Sequence, residues 1–310
     1  MRLARVSAWP GFSITFAIPF AVGAVTATSW PKALIGFSAM LLFAGFAFAL
    51  NFYSDRDTDS YHDGVQKDFN LRQQPMVTGE ISVKEFKIFS VATLLSSIAL
   101  GFLVSNLFGA LVILACLAGG VLYSHPRIRL KAKPVGDILC IASLGLLAPS
   151  SGYVLGAGEL PTALMMLFWF FVTATGYIPT VMSDFEFDVR AGLRTSAVVF
   201  GQSGLLKAMA VGSLLCLVLS VFVFRSDFYP EGTKGFSVFA VTVLVVFTAV
   251  VWRSLKPPKL HMPLISSSRP WVFVAVGIAL PGIITLLFLA YGFLKIYSPE
   301  SVSWDPFLTF

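Results

Sequence analysis

Acidic residues with helical spacing lie where a long apolar segment ends. Asn51, Asp55 and Asp59 are four residues apart, so in a helix they share one face. A second pair of carboxylates, Asp184 and Asp188, follows another apolar segment with the same spacing. These two acidic motifs predict a polar site near a membrane boundary. The rest of the chain is then interpreted as the scaffold that positions the two motifs.

Four carboxylates near a membrane boundary are costly unless positive charge lies between them. Hard divalent cations take oxygen ligands, and Mg²⁺ usually binds one or two carboxylates together with substrate phosphates. The two motifs therefore predict a Mg²⁺ site formed by Asp55, Asp59, Asp184 and Asp188. The alternative is an ordinary polar loop after each apolar segment, which is less favoured because two such pairs occur together.

A basic loop separates the two acidic motifs in the sequence. After Tyr123, four cations fall within the seven positions 127–133, namely Arg127, Arg129, Lys131 and Lys133. Arg binds phosphate through paired hydrogen bonds and Lys acts as a point charge, so the loop is predicted to clamp a diphosphate. The alternative is a loop whose charge only fixes membrane orientation. Tyr123 lies at the end of an apolar segment, where its hydroxyl is placed to reach a polar substrate; the alternative is an ordinary interfacial aromatic.

The composition is that of a membrane protein. The chain has 310 residues, of which 56% are hydrophobic and only 12% are charged, and no polar stretch is long enough for a soluble domain. We therefore predict a single transmembrane domain over residues 1–310. The net charge of +6 comes from basic residues in short loops, which favours membrane orientation over nucleic-acid binding.

Nine apolar segments are long enough to be transmembrane helices, at 11–29, 33–53, 86–105, 107–124, 136–156, 160–182, 202–224, 235–253 and 271–296. In lipid each span must satisfy its own backbone hydrogen bonds, so each is predicted to be helical. Of the 22 basic residues, 18 fall on the side that holds the N-terminus and the motif loops. The positive-inside rule predicts a multi-pass protein with its active site facing the cytoplasm.

The spacing of the two motifs suggests an internal repeat. Asp55 and Asp184 are 129 residues apart, and so are Asp59 and Asp188. The motifs at 51–59 and 184–188 follow the second and sixth predicted spans, so four helices would form one repeat unit.

These ordered motifs resemble those of the UbiA superfamily of membrane prenyltransferases. That family has an NxxxDxxxD motif after its second helix, a DxxxD motif after its sixth and a YxxxK-type loop between them. Tyr123 and Arg127 match the loop, with Arg in place of Lys, and Lys131 is close enough to share that role. Gln74-Pro75 stands where many members have Arg-Pro, so Lys67 or Arg72 is expected to supply that charge.

The resemblance implies an all-α bundle of nine transmembrane helices around a central cavity, capped by cytoplasmic loops. It implies transfer of an isoprenyl chain from a polyprenyl diphosphate, such as geranylgeranyl diphosphate, with Mg²⁺ assisting loss of diphosphate. The four motif Asp residues would hold the metal and act in catalysis with Tyr123 and Lys131. Substrate binding would fall to Asn51, Arg72, Arg127 and Arg194.

The acceptor is predicted to be hydrophobic and is ranked as an aromatic quinone precursor. A glycerol-phosphate lipid, a carotenoid as in lycopene elongases, and chlorophyllide are the alternatives within the same chemistry. A cation-coupled transporter is the alternative from another class, but transport sites tend to lie near the bilayer midplane rather than at helix ends. A CDP-alcohol phosphotransferase would need a contiguous Asp-Gly-Ala-Arg-type motif, which this sequence lacks.

Overall fold

The structure, a computed structural model, describes Phe20 and residues 29–59 and 75–225, and all regular secondary structure in these residues is helical. The α-helices are α1 (Trp30–Asp59), α2 (Val83–Val104), α3 (Asn106–Ala115), α4 (Gly136–Ala157), α5 (Ala163–Ser183), α6 (Phe185–Arg190) and α7 (Ser196–Arg225). A π-helix, Cys116–Leu122, continues α3, and a 3₁₀ turn, Leu130–Ala132, lies in the basic loop. The predicted all-helical membrane fold is confirmed.

Five helices, α1, α2, α4, α5 and α7, are long and apolar enough to cross a membrane. They coincide with the predicted spans at 33–53, 86–105, 136–156, 160–182 and 202–224. The span predicted at 107–124 corresponds to a shorter apolar helix, Asn106–Leu122. The spans at 235–253 and 271–296, and that at 11–29 apart from Phe20 and Ser29, lie outside the described residues. The number of nine spans therefore stays a prediction, as do the single domain and the repeat.

Side-chain hydroxyls mark the boundaries of α2 and α3. At the start of α2, Ser82 and Glu85 form a reciprocal capping box, with the Ser82 backbone N–H donating to the Glu85 carboxylate at 2.8 Å. Ser105 ends α2 and begins α3, and its side chain accepts from the backbone N–H of Phe108 at 3.1 Å. A single extended residue thus joins two helices, which turns the chain back sharply.

Large apolar side chains point outward as well as inward. Leu95 and Leu103 on α2 and Leu214 and Phe222 on α7 are all more than half exposed. Soluble proteins rarely expose so much contiguous apolar surface, whereas a helix that is apolar all round suits a lipid environment. The inward side forms a packed core around Phe43, Phe108 and other buried apolar residues from α1 to α4.

Glycine lets α1 approach the π-helix closely. A Cβ at Gly120 would clash with the ring of Phe46, and one at Gly119 would lie 2.8 Å from a methyl group of Leu144. The absence of side chains at these two positions brings the aromatic rings of α1 against the backbone of the segment that leads to Tyr123. The π-helix is therefore fixed between α1 and α4 immediately before the predicted site.

Small residues also join α4, α5 and α7. A Cβ at Gly145 of α4 would overlap Thr173 of α5, and a Cβ at Gly212 of α7 would overlap Thr175 of α5. Membrane helices lack a hydrophobic driving force for association in lipid, so close backbone approach through small residues supplies the contact. These contacts set the separation between the helices that carry the second acidic motif and its flanking loops.

We expect Gly145→Ala to lower the thermal midpoint of the purified protein, because the added methyl group must displace Thr173 and overpacking costs about 1–3 kcal/mol. Thermal aggregation in detergent measures the effect. Gly176→Ala on α5 is the control, since no described atom lies within 4 Å of its Cβ position and Ala favours the helix. Equal midpoints for both variants would contradict tight packing between α4 and α5.

Candidate active site

The first acidic motif lies on the last turns of α1, which continues as one helix from its apolar part to Asp59. Lys131 of the basic loop donates to Asn51 Oδ1 at 2.6 Å and to Asp55 Oδ2 at 2.5 Å. Arg129 Nη2 donates to Asp55 Oδ1 at 3.0 Å. Asp55 thus has a cation on each of its two oxygens, and these contacts join the first acidic motif to the basic loop.

The backbone of the basic loop decides which cations turn inward. The carbonyl oxygen of His125 accepts from the backbone N–H groups of Ile128 and Arg129 at 2.9 and 2.8 Å, which closes a tight turn. Arg129 then adopts a left-handed conformation with φ of 42° and begins the 3₁₀ turn. This geometry brings Arg129 and Lys131 to Asp55, while Arg127 and Lys133 are exposed.

Two tyrosines meet beside this ion cluster. The hydroxyl groups of Tyr123, just after the π-helix, and Tyr177 of α5 are 2.8 Å apart. Lys131 Nζ lies 5.8 Å from the centroid of the Tyr123 ring. Asp55 and Asp184 are both near enough to act electrostatically on the Tyr123 hydroxyl. One carboxylate from each acidic motif, together with Asp137, therefore lies within electrostatic range of this tyrosine.

The second acidic motif occupies the junction of α5 and α6. Asp184 separates the two helices, and its carbonyl accepts from the Asp188 backbone N–H at 2.8 Å. The Asp188 side chain is buried and accepts from Thr195 Oγ1 at 2.6 Å. Burial raises the pKa of the Asp188 carboxyl, while the Thr195 hydrogen bond favours the ionised form and the charge of Asp137 opposes it.

The remaining predicted site residues are either exposed or lie outside the described side chains. Arg127 and Arg194 are exposed. Asp59 is the last residue of α1, and its side chain lies outside the described part of the structure, as does the whole of Arg72. Their predicted roles in metal or substrate binding remain predictions.

The donor chemistry of the site fits Mg²⁺. Asn51, Asp55 and Asp188 present amide and carboxylate oxygens, which are the hard ligands that Mg²⁺ prefers. Among the residues that the structure describes, no group of three or more His, Cys, Asp or Glu side chains comes together. Mg²⁺ does not require one, because it commonly binds one or two carboxylates and completes its shell with water and substrate phosphate. Binding at Asp55 would require the carboxylate to exchange Lys131 or Arg129 for the metal.

Several residues at the site were not singled out from the sequence. Arg129 was counted in the basic loop, but its contact with Asp55 was not predicted. Tyr177 lies seven residues before Asp184, which is two helical turns on the same face, and this spacing is a signal that could have found it. Asp137, an acid in the first turn of an apolar span, was equally visible as a costly charge near the membrane.

We expect Asp55→Asn to lower thermal stability, because it leaves Lys131 and Arg129 without their shared carboxylate. The loss should be about 1–3 kcal/mol, below the ~3–5 kcal/mol for a fully buried pair, since the Asp55 side chain is 17% exposed. Adding Lys131→Met should recover part of the loss, because one uncompensated cation is removed. Thermal midpoints in detergent provide the measurement.

Lys133→Met is the matched control, because Lys133 belongs to the same loop but is exposed. It should give no recovery in the Asp55→Asn background. Additive effects of Asp55→Asn and Lys131→Met would contradict direct coupling between the two charges.

Comparison with solved structures gives matches over nearly the full length. A UbiA homologue from Archaeoglobus fulgidus, solved with DMAPP and Mg²⁺, is 34% identical with a TM-score of 0.82, covering 96% of this chain and 98% of that one. A structure of the same homologue with GPP and Mg²⁺ has a TM-score of 0.80. The fold described above is therefore shared with a protein that binds prenyl diphosphates.

Curated relatives are more distant and differ in acceptor. A 4-hydroxybenzoate octaprenyltransferase from Shewanella sp. (strain W3-18-1) is 26% identical over 54% of this chain, and the match spans only 57% of that relative. A digeranylgeranylglyceryl phosphate synthase from Methanothrix thermoacetophila is 27% identical over 79% of this chain and 82% of its own length. The model of the UbiA prenyltransferase family matches residues 12–264. This match covers most of the sequence, including both acidic motifs and the basic loop, and the chain belongs to the UbiA prenyltransferase family.

Proposed function

We propose that this protein is a Mg²⁺-dependent intramembrane prenyltransferase that transfers an isoprenyl chain from a polyprenyl diphosphate to a hydrophobic acceptor. The observation that carries the proposal is the convergence of Asp55, Lys131 and Arg129 beside Tyr123, with Asp184 acting on the same tyrosine. A site with cations and carboxylates in contact suits a ligand that brings both negative phosphate and a divalent metal.

The cations of the basic loop would bind the diphosphate of the donor. Lys131 and Arg129 already lie at a part-buried carboxylate, with side chains 11% and 24% exposed, so phosphate oxygens can replace Asp55 as their acceptor at low desolvation cost. The exchange would release the Asp55 oxygens for the metal. Asp59, Asp184 and Asp188 would complete the acidic ligands. The exposed Arg127 and Arg194, together with Arg72, would add positive charge as the donor arrives.

The reaction breaks the bond between C1 of the prenyl chain and the diphosphate oxygen, and the bonding electrons leave with the diphosphate. Bound Mg²⁺ would neutralise the charge that develops on this leaving group. Lys131 and Arg129 would donate hydrogen bonds to the same oxygens. A nucleophilic atom of the acceptor then bonds to C1 and loses its proton. Apolar surroundings of the prenyl chain would exclude water, which would otherwise capture the allylic cation.

An aromatic quinone precursor is our first choice of acceptor. The relative from Shewanella is named for an aromatic acceptor, whereas that from Methanothrix is named as a synthase of a glyceryl phosphate lipid. The Tyr123 and Tyr177 hydroxyls provide a polar pair next to the ion cluster, which could bind a phenolic group. The glycerol-phosphate lipid, carotenoid and chlorophyllide acceptors are the alternatives.

Diphosphate release from geranylgeranyl diphosphate should require Mg²⁺ and should rise when the correct acceptor is present. The assay uses purified protein in lipid, donors of several lengths and a panel containing 4-hydroxybenzoate, a geranylgeranylglyceryl phosphate, a carotenoid and chlorophyllide. Asp55→Ala and Asp184→Ala should each lower turnover by at least about 100-fold, since charge stabilisation of the leaving group is lost.

Asp57→Ala is the matched control for these variants. Asp57 lies on the same helix two residues from Asp55, but its side chain is 84% exposed and contacts Arg56 at 3.3 Å. It should retain nearly full activity. Release without Mg²⁺, or normal turnover in both Asp55→Ala and Asp184→Ala, would overturn the proposed chemistry.

We also propose that the basic loop faces the cytoplasm, as the distribution of basic residues predicts. Cysteine substitution of Lys133 and of Glu159 tests this, because both residues are exposed and lie at opposite ends of α4. A membrane-impermeant maleimide should label Lys133→Cys only in inside-out vesicles and Glu159→Cys only in right-side-out vesicles. The three native cysteines are buried, which keeps the background low. The reverse labelling pattern would overturn this orientation.

A further inference from the structure

A buried carboxylate outside the two motifs joins the ends of two membrane helices. Asp137, in the first turn of α4, is only 3% exposed. Its Oδ2 accepts from the Ser196 backbone N–H at 3.0 Å, and its Oδ1 accepts from Ser196 Oγ at 2.5 Å and from the Ile138 backbone N–H at 2.8 Å. Asp137 thus ties the start of α4 to the start of α7.

The same hydrogen-bond network fixes the end of the basic loop. Ser196 Oγ donates to Asp137 and also accepts from the Val135 backbone N–H at 2.7 Å. Val135 has φ of 68°, a conformation that a β-branched residue adopts only when surrounding contacts hold it there. The segment that carries Arg129 and Lys131 is therefore anchored, at its far end, to the residue that Asp137 holds.

On its other side the network reaches the second acidic motif. Thr195 immediately precedes Ser196, and its hydroxyl donates to Asp188 Oδ2 at 2.6 Å. The backbone N–H of Leu193 donates to the Asp188 carbonyl at 2.9 Å. Thr195, Ser196 and Asp137 are all buried. A shift of Ser196 would therefore move the hydroxyl that orients the Asp188 carboxylate.

We propose, on the basis of the function proposed above, that Asp137 is a positioning residue for the metal-binding carboxylate Asp188. Asp137 fixes the backbone of Ser196, and this holds the preceding residue, Thr195, in place. The Thr195 hydroxyl then sets the direction of one Asp188 oxygen. Groups that orient metal ligands typically change metal affinity or activity by about 10–100-fold when they are replaced. A residue that served only to join α4 and α7 would change stability without changing the metal requirement.

The test compares Asp137→Asn, Thr195→Val and Thr195→Ser with Ser151→Ala. Asn keeps the size of Asp but replaces an acceptor oxygen with an amide donor, and Val removes the Thr195 hydroxyl at constant shape. Ser151 is the control because it is buried on α4 and bonds only its own helix, at Leu147 O, in the described network.

Four quantities should be measured for each protein. They are kcat, the donor KM, the Mg²⁺ concentration for half-maximal diphosphate release, and the affinity for Mn²⁺. Mn²⁺ binding is followed by electron paramagnetic resonance with geranylgeranyl thiolodiphosphate as an inert donor analogue. Asp137→Asn and Thr195→Val should raise the half-maximal Mg²⁺ concentration and weaken Mn²⁺ binding by about 10–100-fold. Thr195→Ser, which restores the hydroxyl, should remain within about 3-fold of wild type, and Ser151→Ala should match wild type in both quantities.

Unchanged Mn²⁺ binding in Asp137→Asn, or equal weakening in Thr195→Ser and Thr195→Val, would overturn the positioning role. If Asp137→Asn does not fold, the Thr195 pair decides the matter by the same measurements. A wild-type protein that binds Mn²⁺ with the analogue but releases no diphosphate from any donor would overturn the proposed reaction, while the binding data still decide the role of Asp137. Absence of Mn²⁺ binding in wild type would overturn the positioning role as well.

Discussion

The shared ion pair of Asp55 with Lys131 and Arg129 is the interaction on which the site depends. It joins the end of α1 to a loop that begins 60 or more residues later, and it does so with one carboxylate and two cations at partial burial. Charges removed from water need close partners, because desolvation otherwise exceeds the Coulombic gain. Two cations share one carboxylate, so this group of three side chains has a net charge of about +1, which attracts anions. In the function proposed above, the phosphate groups of the donor would balance this positive charge.

Much of this arrangement was predictable because the signals were local. Hydrophobic runs located the membrane-length helices, since lipid requires continuous apolar stretches. The i, i+4 spacing put Asn51 and Asp55 on one face, and the structure shows both bonded to the same Lys131. Polarity at the ends of apolar segments predicted where substrate chemistry would occur, and the roles of these residues stay a prediction.

The details that were missed depend on backbone geometry that residue types do not reveal. The left-handed conformation of Arg129 turns it inward and leaves Arg127 exposed, although both are arginines in the same loop. The contact between Thr195 and Asp188 depends on the turn at Gly192, where φ is 67°. Buried hydroxyls are also ambiguous in sequence, because Ser150 and Ser151 simply bond to carbonyl groups one turn earlier in their own helix. Only the three-dimensional partners separate such groups from those that serve the site.

The π-helix before Tyr123 has a consequence for how homologous sequences are aligned. A π-helix has wider turns than an α-helix and therefore fits an extra residue into the same length. The seven residues from Cys116 to Leu122 thus span a distance that a shorter α-helical segment could also span. A homologue lacking one residue there can present its tyrosine in the same direction by reverting to regular α-helix. A one-residue gap at this point is therefore compatible with an unchanged active site. Conversely, an ungapped alignment through the segment does not guarantee that the tyrosines face the same way.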